Sequence, residues 1–310
     1  MILTVTLNAS VDKLYLLEKH TPNAVMRVKE VRNSAGGKGM NVSRVAARLG
    51  EEVTAMGFVG GFNGQYFESL VGRQDRIRRA FTQVASETRC CINCWDLSSG
   101  ESTEYLEPGA IVSRLEAEAF VRDFTERLPL ADLVVFSGSL PRGVPASFYA
   151  DLIRLCHSRG KEVLLDTSGF CLQEALAACP DFVKPNIDEI ASIVGFRPLA
   201  NEDLTRAADI MHQKGAETVA ISLGAKGVFV SCGQGRYSGK PPKIRPGNTV
   251  GCGDSMVAGF AVGRVRGEKI EDQIRLAVAV SSASALSIGT AEFLDEDLSE
   301  IKPLVTIHRL

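Results

Sequence analysis

An α/β fold is what this sequence predicts: a mostly parallel central sheet flanked by helices, with a small β-sheet lid. Three observations lead there. Short apolar runs rich in β-branched residues recur along the chain, stretches with helical spacing alternate with them, and glycines fall just past several of those stretches. The runs Ile2–Leu7, Val53–Val59, Leu133–Phe136, Glu162–Leu165, Phe182–Lys184, Thr218–Leu223 and Val228–Ser231 read as strands. Between several of them Gly39–Leu49, Pro145–Arg159, Asn201–Lys214 and Ser255–Arg266 read as helices, as βαβ units require. Gly50, Gly160 and Gly215 sit where helix C-termini need a residue free to take positive φ. Val25–Asn33, Thr88–Trp95 and Ser102–Leu106 read as strands with no long helix between them. They predict a small antiparallel sheet that covers the site or pairs with a second subunit to hide its apolar face.

Composition narrows the function classes. The 310 residues are 45% hydrophobic and 23% charged, with 35 basic and 37 acidic side chains, so collagenous, disordered and coiled-coil readings fall away. One large domain with a small appendage fits this length better than two equal domains. A net charge of −2 supplies no broad basic field, so nucleic acid is not an expected partner. The opening Met1–Asn8 has no basic n-region and the most apolar late stretch, Leu276–Ile288, is broken by four serines, so neither export nor a membrane span is expected. A cytoplasmic protein is the expectation. Eight scattered cysteines read as free thiols of a reducing compartment. Cys91 and Cys94 form one Cys-x2-Cys spacing without a second pair or a nearby His, and on a strand they point to opposite faces, so zinc is not expected. Arg73–Arg79, with four arginines, reads as solvated surface.

The sharpest chemical signal is Gly251-Cys252-Gly253-Asp254-Ser255 opening a helix. Glycines there leave the first-turn amides open to an anion, while Asp254 beside the phosphate path is placed to accept a proton from an attacking hydroxyl. Taken alone, Asp254 also fits a plain helix cap. Gly36-Gly37-Lys38-Gly39 with Asn41 likewise precedes a helix, and sets a close backbone approach beside a cation. It is not a Walker A loop, whose Gly-x4-Gly-Lys-Ser/Thr order is absent. Lys184-Pro185-Asn186 with Glu189, and Ser222-Leu223-Gly224 with Gly227, follow apolar strands and so fall at the carboxyl ends where parallel sheets keep ligands. Asn186 and Glu189 suit Mg2+ held through water, or the cap of a helix, or both. Asp12, a short acceptor after the first strand, suits paired sugar hydroxyls, and Ser137-Gly138-Ser139 offers further polar groups.

In this order, these motifs resemble the PfkB carbohydrate kinase family of the ribokinase-like fold over residues 1–295. The Asn8–Asp12 opening, the Gly-Gly-Lys-Gly loop and the Ser-Gly-Ser-Leu-Pro turn resemble its hexose-phosphate branch, that of the 1-phosphofructokinases and tagatose-6-phosphate kinases. The resemblance implies a single kinase domain over 1–310 with lid strands, the family's β-clasp, from about 12–34 and 88–107, a homodimer through that lid, ATP as donor and Mg2+ as cofactor. It implies Asp254 as base, with Gly251, Cys252 and Gly253 as anion hole. It implies Asp12, Gly37, Lys38, Asn41, Arg89, Ser139 and Arg27 on the sugar-phosphate side, Lys38 clamping the sugar's phosphate. Lys184, Asn186, Glu189, Ser222, Gly224 and Gly227 fall on the nucleotide side. Fructose 1-phosphate is the expected acceptor and tagatose 6-phosphate the alternative. A sensor that binds without turnover is the competing class, which Asp254 argues against. A kinase for an uncharged sugar is another, against which Lys38 and Arg89 speak. Two departures from the family pattern carry expectations. Cys252 stands where a small Ala or Ser is usual, and at a helix N-terminus its thiol pKa is expected to fall. Asn8 lacks a following proline, so a less rigid turn is expected.

Overall fold

A computed structural model describes all 310 residues. The chain runs β1 (Ile2–Thr6), β2 (Ser10–Leu17), β3 (Glu30–Gly36), α1 (Lys38–Arg48), β4 (Val53–Val59), α2 (Gly61–Val71), β5 (Ile77–Gln83), β6 (Arg89–Asp96) and β7 (Glu101–Leu106). It continues through α3 (Arg114–Arg127), β8 (Leu133–Ser137), α4 (Phe148–Ser158), β9 (Glu162–Asp166), α5 (Gly169–Leu176), β10 (Phe182–Val183), α6 (Ile187–Val194), α7 (Asn201–Gln213) and β11 (Thr218–Ser222). It ends with β12 (Val228–Cys232), β13 (Gly235–Lys240), α8 (Cys252–Val265), α9 (Ile270–Leu286), α10 (Asp295–Ile301) and β14 (Thr306–Arg309).

Ten strands form the main sheet in the order β14-β13-β12-β11-β10-β9-β8-β1-β4-β5. From β11 to β5 every neighbour is parallel, and β12, β13 and β14 close the other edge antiparallel. Strand residues alternate between two cores because successive side chains leave a pleated strand on opposite faces. Leu133 and Val135 belong to the core on the side of α1, α8 and α9, whereas Val134 and Phe136 belong to the core on the side of α3, α4 and α7. Both faces are thus buried, which is why these strands read as unbroken apolar runs. No helix is long and apolar enough to cross a membrane.

The small sheet runs β3-β2-β6-β7. Its central pair, β2–β6, is parallel, and its two outer pairs are antiparallel, so the sheet is mixed where an antiparallel one was expected. Two further expectations shift. Val25–Lys29 is not strand; β3 starts at Glu30 and runs on to Gly36, leaving Arg27 on an exposed connection. The arginines of Arg73–Arg79 are exposed as expected, but Ile77 onward forms an edge strand, with Ile77 buried and Arg78 and Arg79 turned outward.

Candidate active site

The parallel strands end on one cavity of about 980 Å3 roofed by the small sheet. Every site residue expected from the sequence lines it except Arg27 and Gly227. Arg32, on β3, lines it on the side where Arg27 was expected. Gly227 serves the turn into β12 instead: its φ is +91°, and a Cβ there would lie 2.0 Å from the Gly239 carbonyl oxygen.

The lid side is built around Asp12. Ser10 Oγ donates to Asp12 Oδ1 at 2.6 Å, and the carboxylate rests against Gly36, where any Cβ would fall about 2.0 Å from it. Burial raises the Asp12 carboxyl, while the Ser10 bond and the charges of Arg44 and Arg89 pull it back. The turn at Asn8 is pinned without a proline: Asn8 Nδ2 donates to Ser139 Oγ at 3.0 Å, and Arg89 Nη2 donates to the Asn8 carbonyl at 3.0 Å.

Across the cavity Asp254 is the third residue of α8 and 5% exposed. Gly251 precedes the helix at φ +82°, a conformation that favours glycine and swings the first-turn amides toward the cavity. The amides of Gly253 and Asp254 meet no protein acceptor, whereas that of Cys252 is spent on the Thr249 carbonyl at 3.3 Å. Asn41 Nδ2 donates to Asp254 Oδ2 at 2.7 Å. Burial pushes the Asp254 carboxyl up to about 6, with Lys38, the Asn41 bond and Lys184 lowering it and Asp166 raising it further. The Cys252 thiol corrects the expectation of a lowered pKa: burial first, then the Asp254 charge, push it up to about 12, outweighing the helix N-terminus. It is held as a protonated thiol, 3.8 Å from the Asn248 carbonyl oxygen.

Between the two sides stands Asp166, which the sequence reading missed. It ends β9 with a side chain 1% exposed, 3.4 Å from Lys184 Nζ and 3.6 Å from Lys38 Nζ. Burial alone would raise its carboxyl; the two ammonium groups outweigh it and hold it below its ordinary value. The same Asp166 is the largest influence on Lys38, whose pKa it raises, so Lys38 stays charged. The signal was available, because a carboxylate closing an apolar parallel strand occupies the same place as Asn186 and Ser222. Lys184 also stands by the open first-turn amides of α8, 3.3 Å from where a Cβ on Gly253 would lie.

On the remaining side Asn186 Oδ1 caps α6 by accepting from the Glu189 amide at 2.8 Å, and Glu189 Oε2 accepts from the Asn186 amide at 2.9 Å. Ser222, Gly224 and Ala225 line the same cavity as the α9 residues Ser282 and Ala285, all of them small.

Known proteins give this geometry its context. A tagatose-6-phosphate kinase of Staphylococcus epidermidis is 37% identical over 304 residues, 97% of each chain. Phosphofructokinase-2 from Escherichia coli, solved in complex with potassium, superposes with a TM-score of 0.90 at 30% identity over 98% of each chain. A possible 1-phosphofructokinase from Thermotoga maritima gives a TM-score of 0.91 at 27% identity, covering 100% of this chain and 99% of that one. The fold is the ribokinase-like one that the motifs implied. The family model described as pfkB family carbohydrate kinase matches residues 3–297. A phosphotransferase whose sheet ends, glycine loops and buried carboxylate lie within that span, this chain belongs to the pfkB family of carbohydrate kinases.

Proposed function

We propose that this enzyme transfers the γ-phosphoryl group of ATP to the free primary hydroxyl of a hexose monophosphate, fructose 1-phosphate in the first place, giving the bisphosphate and ADP. The observation that carries it is the buried Asp254 in one cavity with open helix amides and the cations Lys38, Lys184 and Arg89. Asp254 takes the hydroxyl proton as the new O–P bond forms and the bond to the β-phosphate oxygen breaks. The amides of Gly253 and Asp254 face the charge that grows on the transferring group, with Lys184 beside them, so positioning and fixed charge supply the rate. Lys38 lies at the meeting point of the two sides, near Asp166, Glu189 and Asp254, and we assign it to the transferring phosphoryl rather than to the sugar's own phosphate. Arg89, with Arg32, remains for the latter. Asp12 and Ser139 stand where sugar hydroxyls need acceptors, and Gly37 keeps the approach open. Ser222 and Gly224 flank the slot assigned to the nucleotide.

Mg2+ fits the residues present. Glu189 commits Oε2 to its cap and keeps Oε1 on the cavity side, 4.0 Å from Lys38 Nζ, which suits an ion that retains most of its waters. The chemistry it supplies when bound is neutralisation of charge on the phosphate oxygens. Glu189 and Asn186 are the residues that would hold it.

A coupled ADP-release assay with ATP and Mg2+ tests the proposal on fructose 1-phosphate, fructose 6-phosphate, tagatose 6-phosphate and free fructose. The highest kcat/KM is expected on fructose 1-phosphate. The 37% identical relative favours tagatose 6-phosphate as the second reading, and a preference for it would retain the mechanism. Turnover on none of them would overturn the proposal. Two further outcomes are expected. Since the base must be ionised, kcat/KM falls about tenfold per pH unit on the acid side of about pH 6. A profile flat to pH 5 would remove Asp254 from that role. Arg89→Ala raises KM for the sugar phosphate roughly 10–100-fold with KM for ATP unchanged, as for loss of a charged hydrogen bond; equal rises in both would place Arg89 elsewhere.

We also infer a homodimer through the lid, supported by Val31 and Tyr105, about half exposed at 49% and 54% on its strands. A monomer in sedimentation equilibrium at micromolar concentration would count against it.

A further inference from the structure

Arg44 lies one helical turn beyond Asn41 on α1 and does not line the cavity. Its guanidinium forms no ion pair. It donates instead to three neutral oxygens from three separate segments. Nη1 meets the Ala35 carbonyl at the end of β3, and Nη2 meets both Asn41 Oδ1 at 2.6 Å and the Thr290 carbonyl at 3.1 Å.

The bond to Asn41 has a directional consequence. A side-chain amide presents an acceptor at one end and a donor at the other, and a guanidinium can only donate. With Oδ1 turned to Arg44, the NH2 of Asn41 is left pointing at Asp254 Oδ2, 2.7 Å away. Reversing the amide would set donor against donor at Arg44 and oxygen against carboxylate at Asp254. The bond to Thr290 acts on the other side of the same carboxylate. Thr290 and Ala291 pack under Gly251, with the Ala291 nitrogen 2.8 Å from where a Cβ of Gly251 would lie, and Gly251 begins the helix that carries Asp254.

We propose that Arg44 is a positioning residue of the transfer centre: without touching substrate, it fixes the amide of Asn41 so that the NH2 faces Asp254, and it braces the loop beneath Gly251. The proposal rests on the reading of Asp254 as the base. The groups that bear on Asp254 are Lys38 and Asn41 from α1, Asp166 from β9 and Lys184 from the segment after β10. Those that bear on Arg44 are Asp12 from β2, Glu292 from the segment after α9, and Asp254 itself.

The test is a titration of Asp254 by 13C NMR in protein labelled at the aspartate carboxyl, its resonance assigned by its absence in Asp254→Asn. Arg44→Met, in an otherwise intact chain, is expected to raise the midpoint by about half to one pH unit, because a freely turning amide donates less to the carboxylate. Arg44→Lys, which keeps charge but lacks the fork, is expected to show a smaller rise. In an Asn41→Ala background Arg44→Met should move the midpoint by less than about 0.2 unit. The acid limb of kcat is expected to follow the same shifts, with KM for ATP within about twofold of wild type.

An unchanged midpoint in Arg44→Met would overturn the proposal. An equal shift with and without Asn41 would do so too, since Arg44 would then act by charge alone. Should Arg44→Met fail to fold, the Asn41 side-chain amide of the wild-type protein decides: one NH2 pair is expected, and two populated orientations would sink the idea. Because the titration needs no turnover, failure of the kinase reading shows in the assay and failure of the Arg44 assignment in the spectra.

Discussion

Asp254→Asn lowers kcat by roughly 10²–10⁴-fold, with KM for either substrate little changed. The amide keeps the shape of the carboxylate, so the open amides, Lys38, Lys184 and the acceptor contacts all survive. What is lost, on the proposed assignment, is the buried carboxylate beside the open amides that receives the hydroxyl proton. Residual turnover measures what positioning and fixed charge achieve without a base. Steady-state kinetics at pH 7.5, with both substrates varied, check it; a variant with wild-type kcat would remove Asp254 from the chemistry. The same substitution has a stability signature of opposite sense. Asp254 has a folded pKa of about 6, above the 3.8 of an exposed aspartate. As pH rises through that interval the unfolded chain gains from ionising first, so above about pH 6 the ionised group weighs against the folded state. Replacing it by a neutral amide is expected to leave thermal stability at pH 8 at or above wild type. On that assignment, function would be maintained at some expense in stability.

Asp166→Ala acts in the other direction and destabilises the fold by about 3–5 kcal/mol, the typical cost of removing one partner of a buried charge pair. Lys184, 5% exposed, loses the carboxylate 3.4 Å from its ammonium, and its surroundings admit little water in compensation. Asp166 is held below its ordinary pKa in the folded state. Its stabilisation is therefore present above the unfolded pKa and lost as pH falls through the folded one, so the difference between variant and wild type should narrow only below about pH 4. Urea midpoints at pH 7 and pH 3 check both statements, and a variant equal to wild type at pH 7 would mean that Lys184 finds another partner. Removing this negative charge also relieves Asp254 of a group that raises its pKa, so the acid limb of activity is expected to move to lower pH.

The two predictions draw on residues that the sequence disclosed unequally. Asp254 stood between marked glycines at a helix start, and Lys184, Asn186 and Ser222 followed apolar strands, so local pattern and the strand-end rule were enough. Asp166 obeyed the same rule but carried no glycine or proline to mark it. Arg44 reads as one more basic residue on a helix, and only the fold brings Ala35 and Thr290 to its guanidinium. Among the elements, β8 and β9 were legible because both their faces are buried. Strand β2 was not: its central residues Asp12–Tyr15 are only half-buried and give no clean period. Strand β5 carries two outward arginines at the edge of the sheet, which mimic a solvated turn. At Cys252 a rule about helix ends met a stronger one about burial beside a carboxylate.

The lid has a last consequence, for how the chain comes to its final form. Its central pair joins residues 10–17 to residues 89–96, and β1, β4 and β5 are laid down in the main sheet between those two segments or just before them. Closing a loop of that length yields little until the intervening strands have already shortened it. The half of the proposed site that carries Asp12 and Arg89 is therefore expected to form only once β4 and β5 have, and under denaturing stress to come apart before them. Loss of structure is thus expected to follow the proposed division of labour: the chain would lose its grip on an acceptor before it loses the main sheet.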